Sequence, residues 1–184
     1  MSHSRLLGWE VTGFVFIAML GIPLHFCFEW SGHSRLIGLF SPVNESTWEH
    51  FKLCLWPGVL FALIEFRAIR RQTNSYWKAK ALGLLSMPVA IVVLFYSYTA
   101  LLGYHVLLVD ILVFFLAVAI GQIISYWILK STTSASRWWA AVIIVTALAL
   151  VVFTYNPPHL FLFRDPVTSS YGVMHAPSGH QVHE

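Results

Sequence analysis

Charge is what this sequence has least of. Only 10% of its 184 residues are Asp, Glu, Lys or Arg, against about a quarter in soluble domains. Hydrophobic residues make up 58%, and mean hydropathy is +0.71. A soluble enzyme and a disordered tail are excluded, because neither tolerates so much apolar surface. Two cysteines are too few for a secreted disulfide scaffold. There is no Walker phosphate loop and no Gly-x-Gly-x-x-Gly turn, so nucleotide chemistry has no support. No internal repeat is visible, which leaves an inverted-repeat transporter unsupported.

What the chain does have is apolar runs of about 18 to 24 residues, the length that crosses ~30 Å of hydrocarbon. Five are expected to span: Leu6 to Phe28, Ser46 to Phe66, Ala79 to Leu102, Val106 to Leu129 and Trp138 to Tyr155. The fold expected is all-α, an integral membrane bundle of five transmembrane helices over residues 1–155. A C-terminal tail follows over residues 156–184, with disorder expected from His175 onward. The second span should be kinked, because Pro57 lacks a backbone donor and crowds the preceding turn. The first run is too long for a signal peptide and carries Glu10, so it reads as a retained anchor.

Orientation follows from the basic residues. Arg5, Arg67, Arg70, Arg71, Lys78, Lys80, Lys130 and Arg137 all fall on one side of a five-span chain, and Arg35, Lys52 and Arg164 on the other. The amino terminus is therefore expected in the cytoplasm and the carboxyl terminus outside a cell membrane. The net charge of +3 then reflects topology. A nucleic-acid partner would need a basic soluble face, which is missing. Membrane lipid is the partner expected, and self-association stays open.

That orientation sorts the polar residues by depth. His25, Glu45, Glu49, His50, His105 and Asp110 gather at the outer interface, followed by His159 and Asp165 in the tail. On the fourth span, Asp110, Ala117, Gly121 and Ser125 share a stripe at helical spacing, and Ala117-x-x-x-Gly121-x-x-x-Ser125 suits close helix packing. On the inner side, Glu10 and Glu65 are expected to pair with interfacial Lys or Arg by snorkelling.

The densest polar block is Asn44-Glu45-Ser46-Thr47-Trp48-Glu49-His50-Phe51-Lys52. Ser46-x-x-Glu49 has the form of a capping box, and Trp48 suits an anchor at headgroup level. Glu45 and Glu49 lie four apart, which on a helix places two carboxylates on one face. This block resembles that of an uncharacterised family of small bacterial multi-pass membrane proteins with an Asn-Glu-Ser-x-Trp-Glu-His-x-Lys signature, a domain of unknown function. The resemblance implies a prokaryotic cytoplasmic membrane and brings no activity.

Three readings of the outer cluster stay open. His25, Glu49, His50 and Asp110, with His105, offer ligands for zinc or another divalent ion, although no His-x-x-x-His or His-Glu-x-x-His pair is present. Glu49, His50 and Asp110 are alternatively a metal-free acid–base set, with Asn44, Glu45 and Lys52 binding. The same residues also suit a structural ion-pair network. The functions expected are hydrolysis or group transfer on a lipid-like substrate, a small transporter subunit or proton/metal-ion carrier, or an assembly protein. His175, His180 and His183 form a separate compositional metal candidate. Cys27 and Cys54 both fall near the outer side, where a disulfide is conceivable.

Overall fold

The computed structural model describes residues 3–131 and 137–173. Among these the chain forms seven helices: α1 (His3–Leu24), α2 (Cys27–Trp30), α3 (Arg35–Gly38), α4 (Thr47–Ile69), α5 (Tyr76–Leu102), α6 (Leu107–Lys130) and α7 (Trp139–Tyr155). A single 3-10 turn follows at Phe161–Phe163. The expected tail disorder and the tail histidine cluster both fall on residues from His175 onward, outside the described residues.

Three helices, α1, α5 and α6, are long and apolar enough to cross a membrane. α7 is apolar but has 17 residues. α4 has the length, yet it carries Glu49, Lys52, Glu65 and Arg67, the first three turned into the bundle. The outer flanks of the bundle are studded with exposed Leu, Ile and Val side chains on α1, α5, α6 and α7, the surface that hydrocarbon would solvate.

Helix ends follow local chemistry. α1 stops at Leu24, four residues before the end expected from hydropathy, because Pro23 in its last turn supplies no N–H. The chain turns at His25 and Phe26 and restarts as α2. α4 begins at the Ser46 cap, whose hydroxyl accepts from the Glu49 amide at 3.4 Å, and runs unbroken through Pro57. α5 ends on Gly103 at φ +80°, a left-handed position that suits glycine.

The α5–α6 contact shows why small residues were spaced along the fourth span. A methyl group on Gly83 would lie 2.8 Å from the Gly121 carbonyl oxygen, so only glycine lets the two backbones approach this closely. Ala117 and Ser125 are buried in the same seam. The main apolar core joins Ile17 of α1, Phe51 and Leu55 of α4, Leu84 and Met87 of α5, and Val118 of α6.

Candidate functional site

Antiparallel packing of α1 and α4 creates two polar clusters. In this register His25 lies against His50 and Glu10 lies near Glu65, so both pairs of residue numbers sum to the same value. Fifteen residues separate the clusters on each chain segment, His25 lying in the turn just past α1, or about 22 Å at 1.5 Å rise per residue.

At the His25–His50 end, the polar block divides into residues already spent on structure and residues left over. Asn44 accepts from the Ser46 amide at 2.9 Å and donates to the Gly172 carbonyl at 2.9 Å. Ser46 caps α4. The capping box is only half realised, because the Glu49 carboxylate turns away from the cap to accept from the Val43 amide (3.0 Å) and Lys52 Nζ (2.5 Å). Lys52 is fully buried and also donates to the carbonyls of Gly38 (2.7 Å) and Ser41 (3.2 Å). Trp48 is half-buried and stacked on Phe163 with centroids 4.5 Å apart. Glu45 and His50 are what remain.

Glu45 precedes the Ser46 cap, so the four-residue spacing to Glu49 is not helical and the two carboxylates diverge. Glu45 Oε2 lies 3.5 Å from His50 Nε2 and 3.8 Å from His25 Nε2, and the two imidazole nitrogens are 3.2 Å apart. The three ligand atoms all fall within 4.8 Å of one another, the one such group among the described residues. His50 is oriented by its other nitrogen: Nδ1 sits 2.9 Å from the Ser46 carbonyl, which can only accept, so Nδ1 carries the proton and Nε2 presents a lone pair. His25 is held by the loop before α4. Ser41 donates to the Leu24 carbonyl at 2.6 Å and accepts from the Phe28 amide at 3.0 Å, clasping the turn on both sides of His25. Burial, and then the neighbouring His50, push the His25 imidazole below its ordinary range, with Glu45 pulling weakly the other way. It is therefore neutral and available as a ligand near neutrality.

Two residues grouped with these histidines from the sequence are engaged elsewhere. Glu49 is committed to Lys52. Asp110, in the first turn of α6, accepts from the Tyr98 hydroxyl of α5 and lies 3.3 Å from His105 Nδ1, closing the α5–α6 turn. His105 is exposed, His159 stacks on Tyr171, and Asp165 is buried accepting from the amides of Val167 and Thr168. Cys27 and Cys54 are free thiols pointed at the carbonyls of Pro23 and Phe51.

The inner cluster is the one that sequence reasoning underrated. Glu10 and Glu65 pair with Lys80, as expected in kind, but no group snorkels: all three are buried. Lys80 Nζ lies 2.8 Å from Glu10 Oε1 and 2.5 Å from Glu65 Oε2. Ser125 donates to Glu10 at 2.9 Å, and Tyr76 donates to Glu65 at 3.2 Å and to the Ala62 carbonyl at 2.5 Å. The available signal was two glutamates inside apolar runs, each a functional hypothesis by default in a membrane.

No curated protein and no solved structure matches the chain. Residues 1–173 match one family throughout, including the outer block, both helical clusters and the tail that packs on them: the chain belongs to the family of unknown function DUF6512.

Proposed function

We propose that this is a five-span membrane protein, amino terminus in the cytoplasm, whose outer rim binds a divalent transition metal of the zinc class through His25, Glu45 and His50. The observation that carries the reading is the 3.2 Å separation of the two Nε2 atoms. Two nitrogens at tetrahedral positions about 2.0–2.1 Å from zinc are about 3.3 Å apart, so both rings are already spaced as a chelating pair. The Glu45 oxygen needs to close by only a few tenths of an ångström. Three protein ligands leave a fourth position for water, the form suited to hydrolysis or group transfer. Half-exposed side chains at a membrane face favour a lipid-like substrate arriving from the bilayer.

Zinc titration of the purified protein in nanodiscs tests the site. His50→Ala is expected to weaken binding more than about 100-fold, beyond the range of outer-shell changes, while Asp110→Asn leaves affinity unchanged. Binding also weakens as pH falls, because both imidazoles must be neutral to ligate. Equal affinity in wild type and His50→Ala would overturn the assignment.

Topology is tested separately. A reporter fused in the loop between α4 and α5, beside Arg70 and Arg71, is expected to report a cytoplasmic location; activity of an exported reporter there sinks the orientation. A carrier is the second reading, favoured by the second ionisable cluster about 22 Å further along the same helix pair. Zinc or proton flux into proteoliposomes separates it from the hydrolase reading.

A further inference from the structure

The inner cluster contains an odd number of ionisable groups. With Glu10, Glu65 and Lys80 all ionised it carries one uncompensated negative charge, inside an apolar bundle where a lone charge is costly. Compensation is not supplied by the helices around it. On α4, Arg67 and Arg70 are exposed, Arg70 lying over the Phe66 ring. On α5 the cluster meets the neutral Tyr76 hydroxyl, and on α6 the neutral Ser125 and Gln122. α7, which packs on α4 and α5, has no charged residue along its length.

The oxygens point the same way. Lys80, Ser125 and Tyr76 engage Glu10 Oε1 and Glu65 Oε2, whereas Glu10 Oε2 and Glu65 Oε1 are buried with no hydrogen-bond partner. Gln122 Nε2 is likewise buried and unpartnered. It borders a cavity of about 10 Å³ shared with Lys80, Ser125 and Gly83, close to the smallest volume that holds one water. Gly13, one turn beyond Glu10, keeps this side open: a methyl there would lie 2.0 Å from Gln122 Nε2.

We propose that Glu10, Glu65 and Lys80 form an intramembrane proton-binding site that holds one exchangeable proton, carried by one of the two carboxyl groups on its unpartnered oxygen, Glu10 Oε2 or Glu65 Oε1. Binding forms one O–H bond with a proton drawn from the aqueous phase and takes the cluster from one negative charge to neutrality. Release reverses both. Lys80 stays an ammonium, two of its three N–H donors fixed on the carboxylates.

Infrared spectroscopy of the full-length protein in nanodiscs tests this at neutral pH. Wild type is expected to show the carbonyl stretch of one buried carboxylic acid per chain, shifted by deuterium exchange. Glu10→Gln and Glu65→Gln each leave a neutral one-to-one pair with Lys80, so the band disappears in both, and the pair keeps these variants folded. Lys80→Met, where it folds, roughly doubles the band. A wild type with no such band, or a band that survives in both Gln variants, overturns the proposal. The zinc site stands or falls independently, because neither variant touches it.

Discussion

Lys80→Met is expected to be the most damaging single substitution in the inner half of the bundle. Removing one partner of a buried ion pair costs about 3–5 kcal/mol; here the ammonium serves two carboxyl groups, and its loss obliges the remaining carboxylate to take up a proton and leaves both acids buried without the ammonium's hydrogen bonds. Thermal or detergent unfolding in nanodiscs measures the loss. Reversal by apolar replacement is the stronger test. Glu10→Leu and Glu65→Leu added to Lys80→Met remove both orphaned acids, and apolar substitutes for buried ion pairs are commonly neutral or stabilising. The triple variant is therefore expected to recover most of the stability. A Lys80→Met protein that unfolds with wild type would show that the cluster contributes nothing to the fold.

Lys52→Met is expected to rival it, with a different signature. Lys52 satisfies the Glu49 carboxylate and the carbonyls of Gly38 and Ser41 from a fully buried position. Its loss leaves the Glu49 carboxylate with the Val43 amide but no counter-charge, and two backbone acceptors without a donor, a cost again of about 3–5 kcal/mol. Those acceptors are the last residue of α3 and Ser41 of the loop between α3 and α4, which clasps His25 through Ser41 and carries Glu45. Limited proteolysis should thus cut between Leu39 and Ser46, and zinc affinity should fall although no ligand has changed. Lys80→Met, in contrast, is expected to leave the affinity of the folded protein intact. Uncut loops and wild-type affinity in Lys52→Met would remove the clamp from the account.

Helix periodicity and capping made much of the bundle legible from residues alone. The Ala117, Gly121, Ser125 stripe and the Ser46 cap depend on contacts within one helix or with its neighbour in sequence. Convergence across helices was harder to read. Glu10, Glu65 and Lys80 come from three helices, and spacing along each reveals which way a side chain faces but not which neighbour it meets. Asp110 was placed at the correct end of its helix, yet Tyr98 and His105 claim it first. Glu45 and Glu49 were taken as helical neighbours, whereas the cap lies between them. One residue of offset at a helix start decided which carboxylate reaches the histidines.

Tail packing was the least legible part, because Phe163 and Gly172 follow no periodic pattern. Phe163 is buried beneath Trp48, whereas Leu160 and Phe161 face outward.

The bond from Asn44 to Gly172 joins residues 128 apart in sequence, and this sets an order of events during synthesis. α1 and α4 can meet as soon as both have been made, but the Asn44 side chain that orders the approach to Ser46 lacks its second partner until nearly all of the described chain has emerged. A nascent chain halted within α7 would carry both histidines and no strap across them. Support for the loop that carries Glu45 is thus completed late in synthesis, and loss of the chain from Gly172 onward would remove that support while sparing all seven helices.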